Sequence, residues 1–272
     1  MAKMLLAYLP QSMAHFVNRW RNILFANFFY QVCKLCPQLM KREIKRGVSH
    51  FLGKDYPVDE HFSPTYNPWD QRFCVAPGGD FFKAIKSGKA SVETARIVSF
   101  TETGIEVERI ANGEKKLLEC DAIVTATGLV VKTAGGIEIV VDGEPVRRMD
   151  NRFMYKGCMV SGVPNFILSV GYTNMTFTLK VDLIGTYVTR LLAHMDKKGC
   201  KKCVPVYGNR EGESPDDRGE DLIDLSAGYI QRAIGQFPRQ GKRSPWRYYQ
   251  NYFYDIWEFN YGRLEDGVMK IE

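Results

Sequence analysis

Asp121-Ala122-Ile123-Val124-Thr125-Ala126-Thr127-Gly128-Leu129 decides how this chain is read. The run opens on an acidic residue and continues through small and β-branched apolar residues with almost no polar face. A strand covered on both faces of a parallel sheet has that composition. It closes on Thr127-Gly128, where the missing Cβ lets backbone or a ligand come close. The pattern predicts a buried strand with a turn glycine at its carboxyl end, where open α/β sheets bind ligands. An ordinary structural strand satisfies the same pattern, so this run does not name a function by itself.

Upstream of it, Ser12 is placed to cap a helix whose stripe is Met13, Phe16, Val17, Trp20, Ile23, Leu24 and Phe28. Pro37 restarts the helix, and Met40, Ile44, Val48, Phe51 and Leu52 form a second stripe closed by Gly53. Such an aromatic, basic pair fits a helix packed on a sheet, and also fits one lying on a membrane surface. The loop His61-Phe62-Ser63-Pro64-Thr65-Tyr66-Asn67-Pro68-Trp69-Asp70-Gln71-Arg72 follows; its prolines and asparagine forbid regular structure. Residues 73–76 read as a short strand, Gly78-Gly79 as a turn, and Asp80 as the cap of a short helix ending at Gly88. Residues 91–107 are strand-like with a break near Gly104, and Asn112-Gly113 carries a type I′ hairpin signal.

Downstream, residues 137–141 read as a strand before an Asp142-Gly143 turn, followed by strands at 153–159 and 166–170. The last of these, Phe-Ile-Leu-Ser-Val, ends in Gly171. From Thr176 a long helix buries Leu179, Leu183, Ile184, Tyr187, Val188, Leu191, Leu192 and Met195 at a clean 3.6 period. A strand, a glycine, a polar turn and a helix N-terminus together offer backbone N–H groups and a positive dipole end to an anionic ligand. Residues 209–224 read as an acidic mobile loop, 226–234 as a helix, and 245–259 as an aromatic element packed at the end of the chain.

Composition bounds the function classes. The 272 residues are 45% hydrophobic and 25% charged, which is globular rather than disordered. A net charge of +6 suits anionic cofactors and is too weak to argue for nucleic acid. Seven cysteines, an odd number, fit a reduced, cytoplasmic protein. Cys33-Lys34-Leu35-Cys36 and Cys200-Lys201-Lys202-Cys203 have metal-pair form but lie far apart with no histidine beside them, so no metal is expected. The opening residues 1–10 hold a short apolar run without a cleavable leader pattern, and no run is long enough to predict a spanning helix.

Four stretches together resemble a known family. Tyr66-Asn67-Pro68-Trp69-Asp70-Gln71-Arg72, residues 121–129, Val170-Gly171-Tyr172-Thr173-Asn174-Met175-Thr176-Phe177-Thr178-Leu179-Lys180-Val181-Asp182-Leu183, and residues 241–252 are similar to the C-terminal half of class B flavin-dependent monooxygenases. The likeness is to the Baeyer–Villiger and flavin-containing branch, near the ethionamide-activating enzymes, and it spans nearly the whole chain. It implies an α/β fold made of remnants of two dinucleotide-binding, Rossmann-like domains with a small β-meander, lacking their N-terminal halves. Residues 1–126 would be the C-terminal part of an NADPH-binding domain, with a helical region at 12–52, a loop at 61–72 and a meander at 90–126. Residues 127–272 would be the C-terminal part of an FAD-binding domain.

The resemblance also implies FAD and NADPH as cofactors, with O2 and a small-molecule ketone or a sulfur- or nitrogen-containing compound as substrates. Arg72 matches the arginine that faces the flavin, and Gln71 lies beside it. An anionic oxygen at the flavin calls for a cation that keeps its proton, which guanidinium is. A structural partnership of Arg72 with Asp70 or a loop carbonyl remains the alternative. Thr127 and Gly128 match the interdomain crossing beside FAD, and Gly171, Tyr172, Thr173 and Asn174 match the turn whose helix approaches the flavin ring. One departure is large: no Gly-x-Gly-x-x-Gly occurs in the sequence, although the family carries two. The chain therefore reads as an incomplete monooxygenase, or as a non-catalytic, partner-binding remnant without bound flavin.

Overall fold

A computed structural model describes residues 7–214 and 216–272, so most of the short apolar run at the start lies outside the described residues. The chain divides into two compact units, one of residues 29–128 and one of residues up to 28 with 129–272. Helix α1 (Gln11–Leu35) contains the division point.

In the first unit, α2 (Pro37–Leu52) begins on the proline that restarts the helix and ends at Gly53 with φ 104°. Its Val48 and Leu52 pack with Val58 and with Ile85 of the short helix α3 (Asp80–Lys86). Strands β1 (Ala95–Phe100), β2 (Gly104–Arg109) and β3 (Lys115–Glu119) form an antiparallel meander in sequence order. The break anticipated near Gly104 is the β1–β2 turn. Glycine is needed there because a Cβ would stand 2.1 Å from the Leu118 carbonyl oxygen.

The second unit is built around α4 (Phe177–Lys198). Leu179, Leu183, Ile184, Tyr187, Leu191 and Met195 are buried, as the 3.6 period requires, whereas Leu192 is exposed. Short antiparallel pairs surround it: β4 (Val140–Val141) with β5 (Glu144–Pro145), and β6 (Met154–Tyr155) with β7 (Met159–Val160). Likewise β8 (Cys203–Pro205) pairs with β11 (Met269–Ile271), and β9 (Glu220–Asp221) with β10 (Arg239–Gln240). Helices α5 (Gly228–Ala233) and α6 (Tyr252–Tyr261) complete it, with Tyr155, Tyr187, Trp246 and Phe259 in the core.

This is an α/β chain, but several expectations need correction. Residues 121–129 form no strand; Val124 is 90% exposed and Leu129 65%. Every ladder among the described residues is antiparallel, so the parallel sheet that would pair with the run and cover it is not there. Residues 73–76 are likewise irregular, and residues 166–170 make only one bridge, Ile167 to Met159. The α1 stripe is largely open: Met13, Phe16, Val17, Leu24 and Phe28 are exposed, and only Ile23 enters the core. Asp80 is the first residue of α3 rather than its cap, and it pairs with Lys83. In the Asn112-Gly113 loop only Gly113 has positive φ, so the turn is not type I′; Asp142-Gly143 and Lys156-Gly157 each have both residues positive instead. The acidic segment expected to be mobile is tied at two of its described residues, the Tyr207 hydroxyl donating to Asp217 at 2.7 Å and Arg247 pairing with Glu220.

Candidate functional site

The turn at Gly171, Tyr172, Thr173 and Asn174 is the best-formed candidate site. Gly171 is fixed by packing, since a Cβ would stand 1.9 Å from the Phe177 ring. Thr173 N–H donates to Gln250 Oε1 at 3.0 Å, and Asn174 Nδ2 donates to the Gln250 carbonyl at 3.0 Å. Gln250 itself sits at φ 54°, a conformation non-glycine residues adopt only when their surroundings enforce it. Asn174 is 5% exposed, and its Oδ1 has no hydrogen-bond partner among the described residues. A buried acceptor left unpaired in a folded chain costs about 1–3 kcal/mol, which marks it as a ligand-facing atom or a strain reservoir. Next to it α4 begins with no side-chain cap at Thr176, and Thr176, Phe177 and Thr178 are exposed. Leu179 N–H donates back to the Thr176 carbonyl at 3.3 Å, and the helix start with its positive dipole end lies at an exposed edge. This edge offers donors and one buried acceptor side by side.

Beneath the turn lies a charged network inside the core. The Tyr172 hydroxyl donates to Asp255 Oδ2 at 2.5 Å, and Lys180 Nζ donates to the same oxygen at 2.7 Å. Lys180 is fully buried, its ammonium 4.3 Å from the Phe259 ring centroid and 5.1 Å from that of Tyr248. Burial pulls the Lys180 ammonium below its ordinary pKa, against the pull of Asp255. Burial first, and Asp255 second, push the Tyr172 phenol far up, so it keeps its proton and remains a donor. Sequence reasoning did not pick out this network. The signal was available: Lys180 sits in the helical series 180, 184, 187, 191 and Asp255 in the series 252, 255, 259, both otherwise apolar or aromatic.

Beside the same edge is a cavity of about 220 Å³ lined by Arg19, Asn22, Ile23 and Ala26 of α1 and by Met175, Thr176, Thr178 and Leu179. Arg19 donates to Asp182 Oδ2 at 2.9 Å, while Trp20 lies tilted on Tyr252 with ring centroids 6.4 Å apart.

The remaining predicted site residues, Gln71, Arg72, Thr127 and Gly128, belong to the other unit. The Asn67-to-Arg72 loop is closed by Asn67 N–H donating to Asp70 Oδ2 and Asp70 N–H donating to the Asn67 carbonyl, each at 3.1 Å. Burial pushes the Asp70 carboxyl up, but the Lys34 ammonium at 3.1 Å and the Asn67 N–H outweigh it and hold its pKa below the usual value. Trp69 adopts φ 69°, its ring 5.5 Å from Tyr30 and 5.9 Å from Phe73 by centroids. Gln71 is half-buried, and Arg72 is exposed, though engaged. Thr127 and Gly128 are exposed, and the 125° φ of Gly128 is open to glycine. A larger concavity of about 630 Å³ lies on the meander at Ser91, Glu93 and residues 116–119. There Glu93 is taken by Lys116 and Arg109, so the surface reads as a solvated sheet face. No group of histidine, cysteine or acidic residues among the described ones could hold a metal ion. No described helix is long and apolar enough to cross a membrane.

The chain is 40% identical over 261 residues to the FAD-containing monooxygenase EthA of Mycolicibacterium smegmatis, covering 95% of this chain and 50% of that protein. It is 40% identical over 269 residues to EthA of Mycobacterium tuberculosis, covering 99% and 53% respectively. It is also 40% identical over 267 residues to the probable FAD-binding monooxygenase AlmA of Acinetobacter baylyi, covering 97% and 51%. The chain thus spans about half the length of the curated relatives it matches. No family model matches the chain. No solved structure matches it either.

Proposed function

Because the chain is a relative, across about half their length, of FAD-containing monooxygenases, we propose that it supplies the flavin-ring wall of an FAD- and NADPH-dependent monooxygenase. The finer reading is Baeyer–Villiger oxidation of a small ketone, or oxygenation of a sulfur or nitrogen compound, with O2 as co-substrate. The observation that carries it is the unpaired, buried Oδ1 of Asn174 beside the exposed start of α4. A flavin ring edge alternates carbonyl acceptors with an N–H donor, so it fits that pairing: Asn174 accepts and the α4 amides donate. When bound, FAD supplies the redox and oxygen-activating chemistry. In this reading the turn and α4 hold the ring edge and place a positive dipole end beside it, and Arg72 is the cation that the family resemblance assigns to the flavin.

The fit covers the ring and not the diphosphate. That group is gripped in dinucleotide folds by glycine backbone amides at a strand-to-helix turn, and the sequence carries no such fingerprint. A second reading, a partner-binding polypeptide without flavin, is favoured by this absence and by the uncovered run at 121–129.

A flavin titration separates the two. The purified chain should be colourless and should not oxidise NADPH. Riboflavin and FAD should quench alike on titration, because the diphosphate adds no contact, and Asn174→Ala should weaken both about tenfold, the equivalent of one hydrogen bond. Absence of quenching by either flavin would leave only the second reading. A yellow preparation with stoichiometric FAD would show that a diphosphate site exists.

A further inference from the structure

We infer that the buried Lys180–Asp255 pair is a positioning device that acts through Tyr172 to hold the Gly171–Asn174 turn at the start of α4. The turn is tethered at three consecutive residues, all to one short segment. Tyr172 donates to Asp255, Thr173 to the Gln250 side chain, and Asn174 to the Gln250 carbonyl. Where the turn sits therefore depends on where residues 250–255 sit. The Asn251 side chain caps α6, accepting from Phe253 N–H and Tyr254 N–H, so the helix start and the tethers form one piece.

What fixes that piece is charge. Asp255 meets Lys180, and one turn further along α6 Glu258 meets Lys156 at 2.7 Å, with both ammonium groups essentially buried. Arg190 donates to the Phe259 and Gly262 carbonyls at 2.6 and 3.0 Å and closes the far end. The two carboxylates three residues apart lock the rotation of α6 about its axis.

Buried ion pairs contribute little net stability, and well-packed apolar replacements are often neutral; their best-attested use is to specify one geometry. Here the geometry is unusual. Lys180 and Tyr172 converge on a single carboxylate oxygen, so the cation on α4 orients the very atom that holds the turn. Asp255 and Lys180 need not touch a ligand. They decide whether Asn174 Oδ1 and the first α4 amides face the same way. That these atoms face a flavin rests on the proposed function; that they are held does not.

The test is amide hydrogen exchange on the full chain, with Tyr172→Phe and with the neutral double replacement Lys180→Met/Asp255→Leu. Both should speed exchange in peptides covering residues 171–179 at least tenfold while leaving residues 183–195 of α4 unchanged. The thermal midpoint of Tyr172→Phe should stay near wild type, and riboflavin quenching should weaken with the loosened turn. Unchanged exchange at 171–179 in the folded variants would overturn the inference, as would an increase spread evenly along α4, which means lost stability and not lost position. If the double variant does not fold, Tyr172→Phe decides alone. Wild-type chain that ignores riboflavin would count against the flavin reading, while the exchange result would still decide the positioning.

Discussion

Residues 121–129 and residues 166–171 are the same kind of sequence, an apolar run that closes on a glycine, and they end in opposite surroundings. In the first, Val124 is 90% exposed, and no backbone–backbone hydrogen bond with described residues is made along the run. In the second, Leu168 N–H donates to the Cys158 carbonyl at 2.7 Å, the Val170 carbonyl accepts from the Tyr248 hydroxyl at 3.2 Å, and Gly171 is buried. Neither run is a strand in a ladder. The difference is that the second has α4, the 153–160 hairpin and the 246–255 segment to lie against. Apolar composition says that a segment is suited to being covered. What covers it has to come from elsewhere in the sequence.

The contrast is sharpest where the covering is complete. Phe259 is fully buried, its ring 5.6 Å from Tyr187 by centroids and beneath the Lys180 ammonium. Phe259→Ala should cost about 3–5 kcal/mol and unfold the unit that holds α4, because it opens a cavity and strips the cation of its ring. Leu117→Ala in the meander, where Leu117 is 44% exposed, should cost under about 0.5 kcal/mol. Denaturant melts followed by tryptophan fluorescence would show it. Equal costs at the two sites would mean that the meander is packed as tightly as the core.

A smaller effect reports how well the 166–171 run is sealed. Cys158, whose carbonyl receives Leu168, is fully buried, and burial pushes its thiol up to about 12. The unfolded thiol ionises near its ordinary value of about 8.5. Between those values the unfolded state loses a proton that the folded state keeps, so stability falls as pH rises, and the contribution is flat below the unfolded value. The slope approaches about 1.4 kcal/mol per pH unit once the unfolded thiol is ionised. Cys158→Ala should flatten the fall between about pH 9 and pH 10, before the buried tyrosines add theirs. Identical slopes in wild type and variant would mean that solvent reaches Cys158.

Much of this was legible in the sequence, and the losses have one cause. Helices α1, α2 and α4, the Gly104 break and the packed aromatic end follow from local signals: proline, glycine and an apolar period. Gly171, Tyr172, Thr173 and Asn174 stand out in the sequence through their likeness to a family motif, and they form one turn tied to Gln250 and Asp255. The predicted strands at 73–76, 121–129 and 166–170 form no ladder, 137–141 keeps only Val140–Val141, and 153–159 folds as a hairpin, because a strand is defined by its partners and composition carries no partner. The charged network under the turn was passed over for a related reason. Lys180 and Asp255 look like surface residues singly, and only their places in two apolar helical series, far apart in sequence, reveal that they meet.

The smallest expected change in stability tests the exposed run most directly. Val124 and Val130 are 90% and 87% exposed, so Val124→Lys and Val130→Lys remove almost no packing. Their unfolding midpoints should match wild type within the effect of an ordinary surface substitution, about 0.5 kcal/mol. Association should change instead. An open β-branched run without backbone–backbone hydrogen bonds to described residues invites pairing with another copy, and a lysine there is how natural sheet edges prevent it. Wild-type chain should sediment as a concentration-dependent mixture, and the double lysine variant as a single small species. A destabilisation well beyond the surface range would mean that Val124 is packed, and the contrast with residues 166–171 would then collapse.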